Sequence, residues 1–237
     1  AQSLKITASG TGQTTGHIAN LSITNTTGST VRINPQTCYI PSDGKYQPYV
    51  ARIPATSVAP GTSYIQVAGY CANVYAHPVP VGNPMPLVSD WIPVIQPGID
   101  VPKGGINILT TPAVPAFKPE DISSLIQTPG YAPLAAKAST NITTTWPNTN
   151  ILFEGTIKPE AHPKTFAPVL VEAVNSIVKA FDELKQAGTI NTPFSGGPEK
   201  EREAIIQQTF WMYTAGITGR PYQKEHFREK VFSQFED

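Results

Sequence analysis

Tyr64-Ile65-Gln66-Val67-Ala68-Gly69-Tyr70-Cys71 alternates without a break, with Ile65, Val67, Gly69 and Cys71 on one face and Tyr64, Gln66, Ala68 and Tyr70 on the other. A period of two marks a half-buried strand. It aims Cys71 where Ile65 and Val67 point, toward the core or its end.

The same period extends toward the N-terminus. Leu4 to Thr7 alternates, and His17 to Asn25 puts Ala19, Leu21 and Ile23 on one face. Asn25-Thr26-Thr27-Gly28-Ser29 is turn chemistry, and Val31-Arg32-Ile33 resumes the alternation until Asn34-Pro35 breaks it. A strand through Cys38 then leads to an Asp43-Gly44 turn and an aromatic return, Tyr46 to Val50. Pro41 and Pro48 cannot donate to a ladder, so these are edge strands or irregular crossings. Val58-Ala59-Pro60-Gly61-Thr62 turns the chain into the opening stretch. Short strands at such spacing predict an antiparallel sandwich.

Downstream of Tyr75 the run His77 to Pro86 is rich in proline and therefore extended. It is too apolar to hang free and is expected to lie along the body. Trp91 to Ile95 and a short strand, Gly105 to Leu109, follow.

Near Pro115 the pattern changes. A short helix is expected over 118–126 and a strand over 150–157. From Thr165 to Ala187 the residues Phe166, Leu170, Ala173, Val174, Ile177, Val178, Phe181 and Leu184 keep a helical period, and Gly188 supplies the stop. Ser195-Gly196-Gly197-Pro198 opens a second helix with Glu199, Glu201 and Glu203 near its start, which suits the helix dipole. Gly216 and Gly219 are expected to end it, and a terminal amphipathic helix over 222–235 completes the chain. The fold class is thus α+β: an antiparallel β-sandwich portion, residues 1–115, that carries Cys71, then a mainly helical portion, residues 116–237.

The second helix contains Ala204-Ile205-Ile206-Gln207-Gln208-Thr209-Phe210-Trp211-Met212-Tyr213-Thr214. Ala204, Gln207, Trp211 and Thr214 share one stripe, so the Gln207 amide lies beside an indole rather than in water. Gln207 is therefore either hydrogen-bonded across the core or a reacting group. Gln208 points about 100° away, on a stripe with Glu201, Ile205 and Met212 that reads as a helix margin.

Composition removes several classes. Lys and Arg (17 together) balance Asp and Glu (17 together) with no basic stripe, so nucleic acid and anionic membranes have no electrostatic footprint here. No apolar run reaches the roughly 20 residues of a membrane span. Charged residues are only 14 % while Pro numbers 24, a mix common in secreted or surface-displayed modules. The start Ala1-Gln2-Ser3 fits a mature terminus left by signal-peptide removal, and fits any trimmed chain equally well. The four His are scattered and there is no CxxC, so no metal site is expected.

Tyr70-Cys71-Ala72 and Ile206-Gln207-Gln208-Thr209-Phe210-Trp211 together resemble the paired signatures of internal thioester domains in bacterial surface adhesins, in which an aromatic residue precedes a Cys and a distant helix carries Gln followed by Trp. Tyr46-Gln47 also resembles what precedes the Cys in that family. The resemblance implies an extracellular adhesion domain. By that resemblance Cys71 would attack the Gln207 carboxamide, ammonia would leave, and a thioester would remain. Tyr70 and Trp211 would wall the site from water. The thioester then bonds covalently to an amine or hydroxyl of a surface protein or glycan of a host or the environment. No cofactor is needed, and the event is a single turnover rather than enzymatic catalysis.

Two other readings stay open at this point. A Cys38–Cys71 disulfide would make the chain a non-covalent secreted binding or structural module. Against it stands the expectation that Cys38 is a lone buried thiol. His77 could serve as a base for Cys71 in a hydrolase, although no orienting Asn or Asp is identifiable. The sequons at Asn20, Asn25 and Asn141 are expected by chance in a chain so rich in Thr.

Overall fold

In the computed structural model, which describes residues 4–99, 103–118, 159–191 and 196–218, the period-two stretches become strands. They are β1 (Leu4–Gly10), β2 (Thr15–Asn25), β3 (Val31–Ile33), β4 (Gln36–Ile40), β5 (Tyr49–Ile53), β6 (Thr56–Val58), β7 (Gly61–Cys71) and β8 (Ile92–Pro93). Six of them form a curled antiparallel sheet in the order β1-β2-β7-β5-β4-β8, and β3 pairs with β6 separately. The chain divides into two compact units. One is Ala1–Cys71 with Tyr75–Pro115, and the other is Ala72–Val74 with Ala116–Asp237.

β7 is central, held by β2 on one side and β5 on the other. Its alternation is as read: Ile65, Val67, Gly69 and Cys71 are buried, while Tyr64, Gln66 and Ala68 are exposed. Across from it on β2, Ala19, Leu21 and Ile23 are fully buried. Ile18 is buried as well, because the register shifts between His17 and Ala19 and the bulge turns two successive side chains inward.

The proline-rich run covers an edge. Gly10 N–H donates to Asn83 O (2.8 Å), Gly12 N–H to Val79 O (2.8 Å) and Met85 N–H to Ala8 O (3.0 Å), so residues 79–85 lie along the outer side of β1. This occupies ladder groups that would otherwise invite edge pairing. The approach is close enough that a Cβ on Gly10 would stand 2.5 Å from Val79. The strand expected over 105–109 does not form. Ile106 makes only a single bridge to Ile33, and the side-chain oxygen of Gln36 takes the N–H groups of Ile108 and Leu109 (3.1 Å each) in place of a ladder.

In the second unit, α1 (Pro163–Gln186) buries Phe166, Leu170, Ala173, Val174 and Phe181 of the predicted face, and Leu184 at its end is exposed. Gly188, at φ +75°, lets the chain turn back, and the N–H groups of Gly188 and Thr189 cap Lys185 O (3.1 Å) and Leu184 O (3.0 Å). That pair of bonds needs a left-handed residue, which is why glycine stands there. α2 (Pro198–Thr218) begins at the expected proline, with Glu199 and Glu201 in its first turn. It runs on through Gly216, which was expected to help end it. Arg202 grips Asp182 from α2 to α1 with two bonds (3.0 and 3.1 Å). The helix expected over 118–126 beyond Lys118, the strand over 150–157, Ser195, Gly219, the Asn141 sequon and the helix over 222–235 lie outside the described residues. Among the described residues no helix is long and apolar enough to cross a membrane.

Candidate functional site

Cys71 is the last residue of β7 and has no accessible surface. Its N–H donates to Thr14 O (3.1 Å), which ties the strand end to the residue just ahead of β2. Directly across the ladder stands Tyr49 of β5. Tyr49 is fully buried and its hydroxyl accepts the N–H of Val79 (3.2 Å). Burial first, then the neighbouring Cys71, push the Tyr49 hydroxyl pKa above its ordinary range. The aromatic on the face of the sulfur is therefore Tyr49. Tyr70, named from the sequence as a wall, is half-buried and leaves β7 on the face opposite Cys71. Sequence reasoning missed Tyr49 because cross-strand register is not written in either strand alone. The aromatic return from Tyr46 was its only signal.

Gln47 completes this corner. Its Nε2 donates to Ala76 O (2.9 Å) and to Thr14 Oγ1 (3.5 Å), and its backbone N–H donates to His77 O (2.8 Å). Its Oε1 is buried with no hydrogen-bond partner among the described residues. An unmet carbonyl of this kind costs about 1–3 kcal/mol.

The Cys38–Cys71 disulfide does not form. Cys38 pairs with Ala51 and Cys71 with Tyr49, so β5 lies between them. Two strand spacings alone put their backbones at least roughly 9–10 Å apart, beyond the ~7 Å a disulfide spans, and the two-residue offset along β5 adds to this. Cys38 is fully buried, and that burial pushes its thiol pKa well above the usual range. It behaves as a small hydrophobe, as the sequence leads one to expect. His77, weighed as a base for Cys71, is exposed, whereas Cys71 has no surface at all.

In the helical unit, the stripe Ala204, Gln207, Trp211 and Thr214 is buried throughout, and Gln207 and Trp211 have no accessible surface. Gln208 is only partly buried, and its stripe ends in an exposed Met212. Glu201 on that stripe is buried, since it pairs with Lys185 of α1 at 2.7 Å. Residues Ala72–Val74, which follow Cys71 directly, belong to this same unit, where Asn73 Nδ2 donates to Glu160 Oε1 (2.7 Å). Among the described residues no group of three or more His, Cys, Asp or Glu could hold a metal ion. No family model matches the chain, and no curated protein or solved structure matches it either.

Proposed function

We propose that this chain is an extracellular adhesion domain of the internal thioester type, in which Cys71 and Gln207 join and then bond covalently to a surface protein or glycan. The observation that carries this reading is the complete burial of both reacting side chains, Cys71 and Gln207, each within its own unit. A thioester survives only where water is excluded, and a primary amide is rarely withdrawn from water without a task. In the same reading the first portion is a sandwich, with the β3–β6 sheet as its second layer. Inward-facing Ile33 and Val58 support that layer.

The reaction balances without a cofactor. Cys71 sulfur attacks the Gln207 carboxamide carbon, a C–S bond forms, the C–N bond breaks, and the thiol proton leaves with the nitrogen as ammonia. An amine or hydroxyl of the target then attacks the same carbon. The C–S bond breaks, the thiol of Cys71 is regenerated, and Gln207 stays joined to the target. In this reading Trp211, one turn from Gln207 on the buried face of α2, would shield Gln207, and Tyr49, across from Cys71, would shield the sulfur, each within its own unit.

Intact mass tests this directly. The native chain should weigh one ammonia less than its sequence, and incubation with methylamine should add one methylamine to that mass. A chain at its full sequence mass that takes up no amine would falsify the reading.

A further inference from the structure

In an antiparallel sheet a strand residue sends both its N–H and its C=O to one neighbouring strand, and the next residue sends its own to the other. The Cys71 N–H goes to Thr14 O (3.1 Å) on the β2 side, so Ser63, Ile65 and Val67 bond toward β2 while Thr62, Tyr64 and Gln66 face the opposite way. Two contacts agree with this phase. The hydroxyls of Thr24 and Thr62 meet at 3.0 Å, and a Cβ on Gly69 would stand 3.1 Å from Ala51 Cα, as in the close, non-hydrogen-bonded pairs of a ladder. On the opposite side β5 pairs with β7 only from Cys71 back to Ala68, and β6 pairs with β3 in a separate sheet. The main-chain groups of Thr62, Tyr64 and Gln66 therefore have no hydrogen-bond partner among the described residues, and all three residues are exposed. The outer edges of the sheet are treated differently: residues 79–85 cover β1, and β8 is only two residues long and ends in a proline.

We propose that this bare stretch of β7 pairs with the same stretch of a second copy of the chain, forming a two-fold dimer through an antiparallel ladder centred on Tyr64. Thr62, Tyr64 and Gln66 are spaced symmetrically about Tyr64, so that register sets Tyr64 against Tyr64 and Thr62 against Gln66, and every outward N–H meets a C=O. Charge selects the same occupant. In a self-complementary contact any charge near the axis faces its own copy, and Gly61–Cys71 contains no Lys, Arg, Asp or Glu. Tyr64 is 78 % exposed, and at the axis the two rings would lie side by side as a cross-strand aromatic pair. The ladder is short, so the dimer is weak and concentration-dependent. It is independent of the thioester chemistry.

Sedimentation velocity of the full chain, from about 10 µM to about 1 mM, reads the dimer. The wild-type dimer fraction should rise across that range. Tyr64→Lys and Tyr64→Glu should each stay monomeric alone, and an equimolar mixture of the two should recover the dimer, because the changed side chains face each other across the axis. Gln66→Pro removes one outward N–H per chain without touching a bond to β2, and should weaken the dimer about tenfold. Far-UV circular dichroism melts check that each variant folds. If Gln66→Pro does not, the Tyr64 variants decide alone, since that side chain lies in solvent. A wild type that stays monomeric to about 1 mM would overturn the proposal and leave the edge to an extended segment of another protein. Tyr64 variants that dimerise alone as wild type does, or a mixture that recovers nothing, would overturn it too.

Discussion

A single methyl group at Gly69 tests how tightly the strand end that carries Cys71 is built. A Cβ on Gly69 would lie 2.6 Å from the carbonyl oxygen of Val50, 3.1 Å from Ala51 Cα and 3.1 Å from Ile18 Cγ1. Ile18 could turn, but Val50 O and Ala51 Cα are backbone of β5, locked in register against β7 with Ala51 opposite Gly69. Relief therefore requires the two strands to part at the pairs that align Cys71 with Tyr49. Overpacking of this kind costs about 1–3 kcal/mol, and the stiffer unfolded chain adds to the native side only about 0.4–1 kcal/mol of stability. The middle of each range leaves a net cost of about 1.3 kcal/mol, so at roughly 4–8 °C per kcal/mol for a unit of this size Gly69→Ala should lower the melting midpoint by about 5–10 °C. Far-UV circular dichroism of the full chain reads that midpoint. Intact mass on the same sample should show a smaller fraction with the ammonia loss. A midpoint within about 2 °C of wild type would mean that β5 and β7 are looser than the contacts imply, and the account of Cys71 positioning would fail with it.

Cys71→Ala and Gln207→Ala should each fold, at a cost of no more than a few kcal/mol, and lose all methylamine incorporation, whereas Gln208→Ala should keep it; adducts that persist in Gln207→Ala would move the site elsewhere. Cys38 should resist iodoacetamide in the native chain, since burial holds its thiol protonated, and Cys38→Ala should leave the ammonia-loss mass unchanged; peptide mapping that finds Cys38 alkylated before unfolding contradicts this. The Arg202 guanidinium holds the Asp182 carboxyl below its usual range, so the pair adds stability above the ordinary aspartate pKa and loses it as pH falls through the depressed value. Urea melts of Asp182→Asn should accordingly show a deficit at about pH 7 that shrinks at about pH 2.5, and an equal deficit at both would refute the ion pair.

The elements that were legible in the sequence are those whose own residues carry the period. The two faces of β7, the three residues of β3 and the Pro198 start of α2 follow from local spacing and local caps. β6 is not legible as a strand, and only its last residue, Val58, falls in a predicted turn, because three residues, Thr56–Val58, are too few to establish a period and only pairing with β3 makes them a strand. Residues 105–109 failed in the opposite direction. They alternate like a strand, but the nearby Gln36 side chain satisfies two of their N–H groups, so no ladder is required. Gly216 sits inside α2 because a glycine weakens a helix interior by only about 1 kcal/mol, which the buried Thr214 and Ala215 beside it offset.

The candidate site divides along the same line. Helical spacing alone distinguishes Gln207 from Gln208, because a step of one residue rotates a side chain by about 100°, and burial follows that rotation. Strand spacing alone turns Cys71 inward and, by the same rule, turns Tyr70 the other way. The chain adjacency that makes Tyr70-Cys71 a recognisable pair is therefore what separates their side chains in space. An aromatic on the face of the sulfur has to come from another strand, and Tyr49 stands there only because β5 lies beside β7 in that register. The register also decides the fate of the second cysteine: with β5 inserted between β4 and β7, Cys38 cannot reach Cys71, and no disulfide joins them. Substituting Tyr49 should therefore shorten the life of a thioester far more than substituting Tyr70, although only Tyr70 adjoins the cysteine in sequence.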